Sequence, residues 1–161
     1  MKLTITILLI ALFLLGHSES VKQKPIYTFE KEYNLKSPSK EDVLREVRRN
    51  CKKFPIDVAM GIINAESNFN HLATNKHSSS IGLMQIVKPT SKWVHEKILK
   101  IPTEYNHNRL FCYQYNIQIG CAYLEYLYEK NNHNIRETIY DYRGKRSEKY
   151  YKKVINYKIK G

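Results

Sequence analysis

The sequence predicts a small, mainly α-helical domain. Beyond residue 39, apolar residues recur at three- and four-residue spacing, and no alternating run is long enough to make a strand. The 161 residues hold only 6 Gly and 5 Pro, too few for a low-complexity or collagen-like chain. A hydrophobic fraction of 42% beside 26% charged residues is that of a globular chain rather than a disordered one. A chain of this length buries one modest core.

The elements follow in order. Residues 3–16 are almost continuously apolar and are preceded by Lys2, the pattern of a signal peptide. Ser18 and Ser20 are small residues at the minus-three and minus-one positions of a cut before Val21, so residues 1–20 are expected to serve export; an uncleaved anchor is the alternative. Either reading places the remainder outside the cytoplasm, in the periplasm or cell envelope. Residues 21–38 are polar, contain Pro25 and Pro38, and read as an N-terminal arm; residues 39–161 form the domain. Ser39 caps a first helix, with Asp42 three positions on and Leu44, Val47 and Cys51 on one stripe. Pro55 opens a second helix whose apolar residues (Ile56, Ala59, Met60, Ile62, Ile63) cover more than one face, as in a largely buried helix. Residues 68–80 read as a polar loop, and 81–87 as a compact apolar segment interrupted by Gln85. A helix is expected over 91–99 around Trp93, irregular chain over 100–114, then helices over 116–130, 134–141 and 145–159.

Charge and motifs limit the chemistry. Lys and Arg total 27 against 15 acids, a net charge of +12, and none of that excess sits in the export segment. With 13 Tyr, such a surface suits a polar polymer, whether nucleic acid, membrane or glycan. The run Lys149-Tyr150-Tyr151-Lys152-Lys153 imitates a nucleic-acid patch, but an exported protein seldom meets nucleic acid, so no nucleic-acid partner is expected. His95-Glu96 lacks the second His of a zinc helix, and no Gly-rich phosphate loop or serine elbow is present, so no metal or other cofactor is expected. Glu66 stands out as an acid ending an apolar helix, where a low-polarity wall would keep its carboxyl protonated for general acid work. Cys51, Cys112 and Cys121 allow one disulfide, with Cys112–Cys121 the first choice and Cys51 paired with either of the others the alternative.

Glu66-Ser67, a polar loop, Gly82-Leu83-Met84-Gln85-Ile86 and Pro89-Thr90 together resemble the catalytic core of soluble lytic transglycosylases, members of the lysozyme-like superfamily. Asn116-Ile117-x-x-Gly120-x-x-Tyr123-Leu124-x-x-Leu127 is similar to that family's N-I-x-x-G-x-x-Y-L-x-x-L helix, and the stretch from Asn134 through Tyr142, Tyr150 and Val154 to its last block. The resemblance spans about residues 51–155, and the loop Leu72-Ala73-Thr74-Asn75-Lys76 looks most like the branch associated with secretion and conjugation machines. It implies a small lysozyme-like fold with a substrate cleft, and Glu66 as the single acid that cleaves peptidoglycan between N-acetylmuramic acid and N-acetylglucosamine, leaving 1,6-anhydro ends. Tyr142 matches the tyrosine beside that acid, with Tyr140 its competitor. Ser67, Asn75, Met84 and Gln85 are the expected substrate-binding residues; packing in the wall or core competes for Met84, and capping for Gln85. Asn75, Val87 and Arg143 stand where the family usually has Ser, Met and Asn. A goose-type-like lysozyme using water, or a weakly active peptidoglycan-binding assembly protein, are the other functions this pattern accommodates. A monomer is expected, with components of a secretion or conjugation apparatus as further partners.

Overall fold

The computed structural model describes residues 37–159; the expected export segment and the arm up to residue 36 lie outside them. Among the described residues six α-helices follow one another: α1 (Lys40–Asn50), α2 (Ile56–Ser67), α3 (Lys88–Trp93), α4 (Tyr113–Lys130), α5 (Ile135–Arg143) and α6 (Glu148–Ile155). A π-helical turn (Val94–Ile98) extends α3, and a 3-10 turn (His107–Phe111) leads into α4. Among the described residues there is no strand, only single bridges that tie Ile81 to Thr74 and to Ile86.

Local chemistry explains most of these bounds. Ser39 and Asp42 form a reciprocal capping box at the start of α1, each backbone N–H meeting the other's side chain at 3.1 Å. Helix α2 has six consecutive buried residues, 58–63, and is wedged between α1 and α6. Helix α3 starts three residues earlier than periodicity indicates, because Pro89 fits the first turn, where its missing N–H is not needed. Its continuation is not a regular helix: Leu99 N–H donates to Val94 O at 2.9 Å across five residues. His95 sits in that turn, 1% exposed, with its ring nitrogens 2.7 Å from the Tyr115 hydroxyl and 2.8 Å from Thr103 O.

Helix α4 is the axis of the domain, in contact with α1, α5 and both turns. Its Gly120 allows a close approach, since a Cβ there would lie 2.2 Å from Met84 Sδ. One turn earlier, Asn116 is completely buried. Its Oδ1 accepts from Met84 N–H, and its Nδ2 donates to Ile81 O and Leu110 O, all at 2.9 Å. The segment 81–84 belongs to no helix or strand, and this amide supplies the partner of the Met84 N–H and a second donor to Ile81 O, which also accepts from Ile86 N–H.

The disulfide differs from the first choice made on sequence. Cys51 and Cys121 are bonded, with Cα atoms 5.0 Å apart, and Cys112 is free. Cys112 caps α4, with its thiol 3.1 Å from Gln114 Oε1, whereas Cys121 lies nine residues into that helix. Nine helical residues rise about 13 Å, and a disulfide reaches about 7 Å at most. Cys121 instead faces the end of α1, where Cys51 arrives.

Closing a loop of 70 residues should stabilise the fold by about 4 kcal/mol. The Cys51→Ala/Cys121→Ala variant should therefore unfold at clearly lower urea, and a reductant should lower the midpoint of the parent protein but not of the variant. Asn116→Ala strands the Leu110 carbonyl and the Met84 N–H and leaves Ile81 O with its Ile86 bond alone, so a loss of about 3 kcal/mol is expected in the same titration.

Candidate active site

A cleft of about 520 Å³ lies between the end of α2, the loop that follows it and the end of α5. Glu66, Asn75, Ser80, Gln85, Thr90, Tyr123, Asp141, Tyr142, Arg143 and Lys145 contribute to its lining.

Glu66 occupies the last turn of α2, which stops because Asn68 takes the left-handed conformation (φ 50°) at its C-cap. Half-buried, its Oε1 accepts a hydrogen bond from the Tyr150 hydroxyl. Burial pushes the Glu66 carboxyl above the usual range, and it outweighs the downward pull of the Tyr150 hydrogen bond and of the Arg143 and Lys153 charges. Tyr150 is 5% exposed and lies under the Arg143 guanidinium, 4.4 Å from its ring centroid. Burial and the nearby Glu66 charge push the Tyr150 phenol up, so it remains a donor at any working pH. Tyr142 is held up for the same two reasons; its hydroxyl donates to Met84 O at 2.7 Å, joining α5 to the opposite wall.

That wall is a tight turn. Gln85 N–H donates to Gly82 O at 3.2 Å, Gly82 has φ 79° and Gln85 φ 47°. A side chain at Gly82 would put Cβ 2.1 Å from Asn116 Nδ2 and 2.5 Å from Leu110 O, so the buried amide demands glycine here. Gln85 tolerates the left-handed backbone because its own side chain locks the loop. Nε2 donates to Ala73 O (3.0 Å) and Gly82 O (2.9 Å), and Oε1 accepts from the Ser80 hydroxyl (3.1 Å). Asn75 uses Oδ1 to accept from His77 N–H at 2.9 Å and lines the cleft.

The structure thus brings Glu66, Asn75, Gln85 and Tyr142 into one cleft, and excludes two other expected residues from it. Met84 is 0% exposed and its thioether fills the space over Gly120, so its side chain belongs to the core and only its carbonyl faces the Tyr142 hydroxyl. The Ser67 hydroxyl donates back to Ile63 O at 3.1 Å, within its own helix, and is not part of the cleft lining. The tyrosine bonded to the acid is Tyr150 rather than Tyr142, because α6 packs directly on α2. Tyr140 points elsewhere and donates to Glu148. On sequence, Tyr150 falls in the last block of the family resemblance and in the Lys149–Lys153 run, with no place beside the acid; the available sign is its position four residues before Val154, on the buried face of a helix otherwise rich in Lys. The second carboxyl of the cleft, Asp141, is held below the usual range by the Asn131 amide at 3.1 Å, with Lys130 at 3.2 Å acting in the same direction.

Comparison with known proteins concerns the family and the fold. No curated protein sequence matches the chain. The 70-kDa soluble lytic transglycosylase SLT70 of Escherichia coli has a similar structure, with a TM-score of 0.58 and 27% identity over 71% of this chain. The 70-kDa soluble lytic transglycosylase in complex with bulgecin A gives a TM-score of 0.58 at 24% identity over 68% of this chain. The chain spans only 18% of the length of either protein, so the likeness concerns one helical, lysozyme-like part of them. The model of the transglycosylase SLT domain matches residues 46–158, from α1 to beyond α6, which takes in every cleft residue described above. With most of its length so matched, this chain belongs to the transglycosylase SLT domain family.

Proposed function

We propose that the protein is a lytic transglycosylase that cleaves the β-1,4 bond between N-acetylmuramic acid and N-acetylglucosamine in peptidoglycan. One observation carries this reading: of the two carboxyls in the cleft, only Glu66 is pushed toward its protonated form, and the other is already engaged. A double-displacement glycosidase needs a second carboxylate free to attack the sugar. Asp141, bonded to Asn131 and Lys130, is unsuited to that role.

The chemistry then runs through one group. Protonated Glu66 gives its proton to the glycosidic oxygen as the bond from that oxygen to the muramoyl C1 breaks. The carboxylate left behind accepts the proton of the muramoyl 6-hydroxyl as the 6-oxygen bonds to C1. The products are a free 4-hydroxyl and a 1,6-anhydro end; no water enters, and Glu66 ends as it began. Tyr150 holds the carboxyl in place and favours its ionised form at the second step, while the Tyr142 hydroxyl ties the wall carrying Gln85 to α5. Asn75, on the outer wall, is placed to meet sugar hydroxyls or an N-acetyl group.

We further infer that the chain is exported and works in the cell envelope as a monomer, opening the wall locally for a secretion or conjugation apparatus. The Cys51–Cys121 disulfide supports the oxidising compartment, and the loop around Asn75 supports that branch of the family.

Mass spectrometry of a peptidoglycan digest should find 1,6-anhydro ends; reducing ends would transfer the protein to the hydrolases. Glu66→Gln should lower the cleavage rate at least about a hundredfold while strand binding persists, and unchanged cleavage would remove Glu66 from the mechanism. Because protonated Glu66 is the active acid and burial raises its pKa, the alkaline limb of kcat/KM against pH should fall above the usual carboxylate range. The Tyr150 hydrogen bond lowers that pKa, so Tyr150→Phe should shift the limb to higher pH.

A further inference from the structure

We propose that Arg143 and Lys145 form a carboxylate-reading rim on the cleft, selecting glycan strands whose stem peptides keep their negative charge. The inference rests on the peptidoglycan-cleaving reading above and adds a specificity to it. Its observation is a contrast among four neighbouring cations. Lys130 and Arg146 are each neutralised by an acid of α5, Asp141 at 3.2 Å and Glu137 at 2.5 Å. Arg143 and Lys145, which line the cleft, form no ion pair among the described residues, and both are exposed.

Geometry makes Arg143 a receptor rather than a loose surface charge. Its guanidinium carbon lies 4.4 Å from the Tyr150 ring centroid, so the plane is held by an aromatic face, which leaves the N–H edges for a planar anion. Between the two cations stands Gly144, at φ 73°, with nothing within 4 Å of where a Cβ would be. The floor there is open. A second hollow of about 380 Å³ shares Tyr123, Asp141, Gly144 and Lys145 with the main cleft, so the groove continues from Glu66 past this rim.

The chemistry of the ligand completes the argument. The sugar rings and N-acetyl groups of a glycan strand are neutral and offer a pair of cations only uncharged acceptors. The peptides attached to its muramoyl units carry carboxylates, and these are the groups a guanidinium and an ammonium recognise. Arg143 also acts on the Glu66 charge, so the test must separate recognition of substrate from tuning of the acid.

Working in the Glu66→Gln background achieves that separation, because the acid is then uncharged. The probes are purified glycan strands with native stem peptides, and the same strands after carbodiimide coupling of their carboxylates to methylamine. The Glu66→Gln protein should bind native strands about tenfold more tightly, the worth of one charge-assisted hydrogen bond, and the preference should shrink as salt rises. Adding Arg143→Asn and Lys145→Gln should abolish the preference, and Arg143→Lys with Lys145 intact should retain part of it. Equal affinity for the two strands, or a preference that survives loss of both cations, overturns the proposal. Digestion of native strands by the unsubstituted protein is read in parallel. Digestion without a binding preference defeats this inference alone, whereas no digestion defeats the enzymatic reading.

Discussion

The cleft depends on a side-chain amide that never touches it. Asn116, in the first turns of α4, accepts from the Met84 N–H and donates to the carbonyls of Ile81 and Leu110. Only an amide side chain has an acceptor and two donors at that length, and only a glycine at position 82 lets it come so close. A wall made of a four-residue turn has little ladder of its own to hold it: without this amide the Met84 N–H and Leu110 O would lose their hydrogen bond, and Ile81 O would keep only the one from Ile86 N–H. Everything on that wall follows from it: the left-handed Gln85, the carbonyl met by Tyr142, and Met84 seated over Gly120.

On the opposite side, electrostatics does comparable work with few charges. Glu66 sits among phenols and apolar side chains, and its nearest cations, Arg143 and Lys153, pull its pKa down less than burial raises it. Lys153 is anchored, donating to Ala65 O at 2.8 Å, and Arg143 lies on a ring. Burial thus favours the protonated acid, while its conjugate base still finds a hydroxyl donor. Asp141, one residue before Tyr142, has the opposite environment and the opposite shift. Two carboxyls in one cleft are shifted in opposite directions by what surrounds each.

Much of this fold was legible because local rules decide it. Ser39 with Asp42, Pro55, the apolar run of α2 and the long stripe of α4 mark their helices through capping and periodicity. Glu66 was legible as an acid at the end of an apolar helix. Features set by distant parts of the chain were harder to read. The π turn depends on His95 finding Tyr115 and Thr103, and the disulfide on where α1 ends against α4. Choosing Tyr150 over Tyr142 requires knowing that α6 packs on α2. Met84 looked suited to a cleft wall, yet the glycine that receives its thioether lies 36 residues further on.

The hydroxyl donor of Glu66 stands 84 positions beyond it, in the last helix. The acid is therefore made well before the group that completes its surroundings. A chain still emerging, or one that has lost its C-terminal helix, carries its carboxyl without the phenol that orients it and without the helix that dries it.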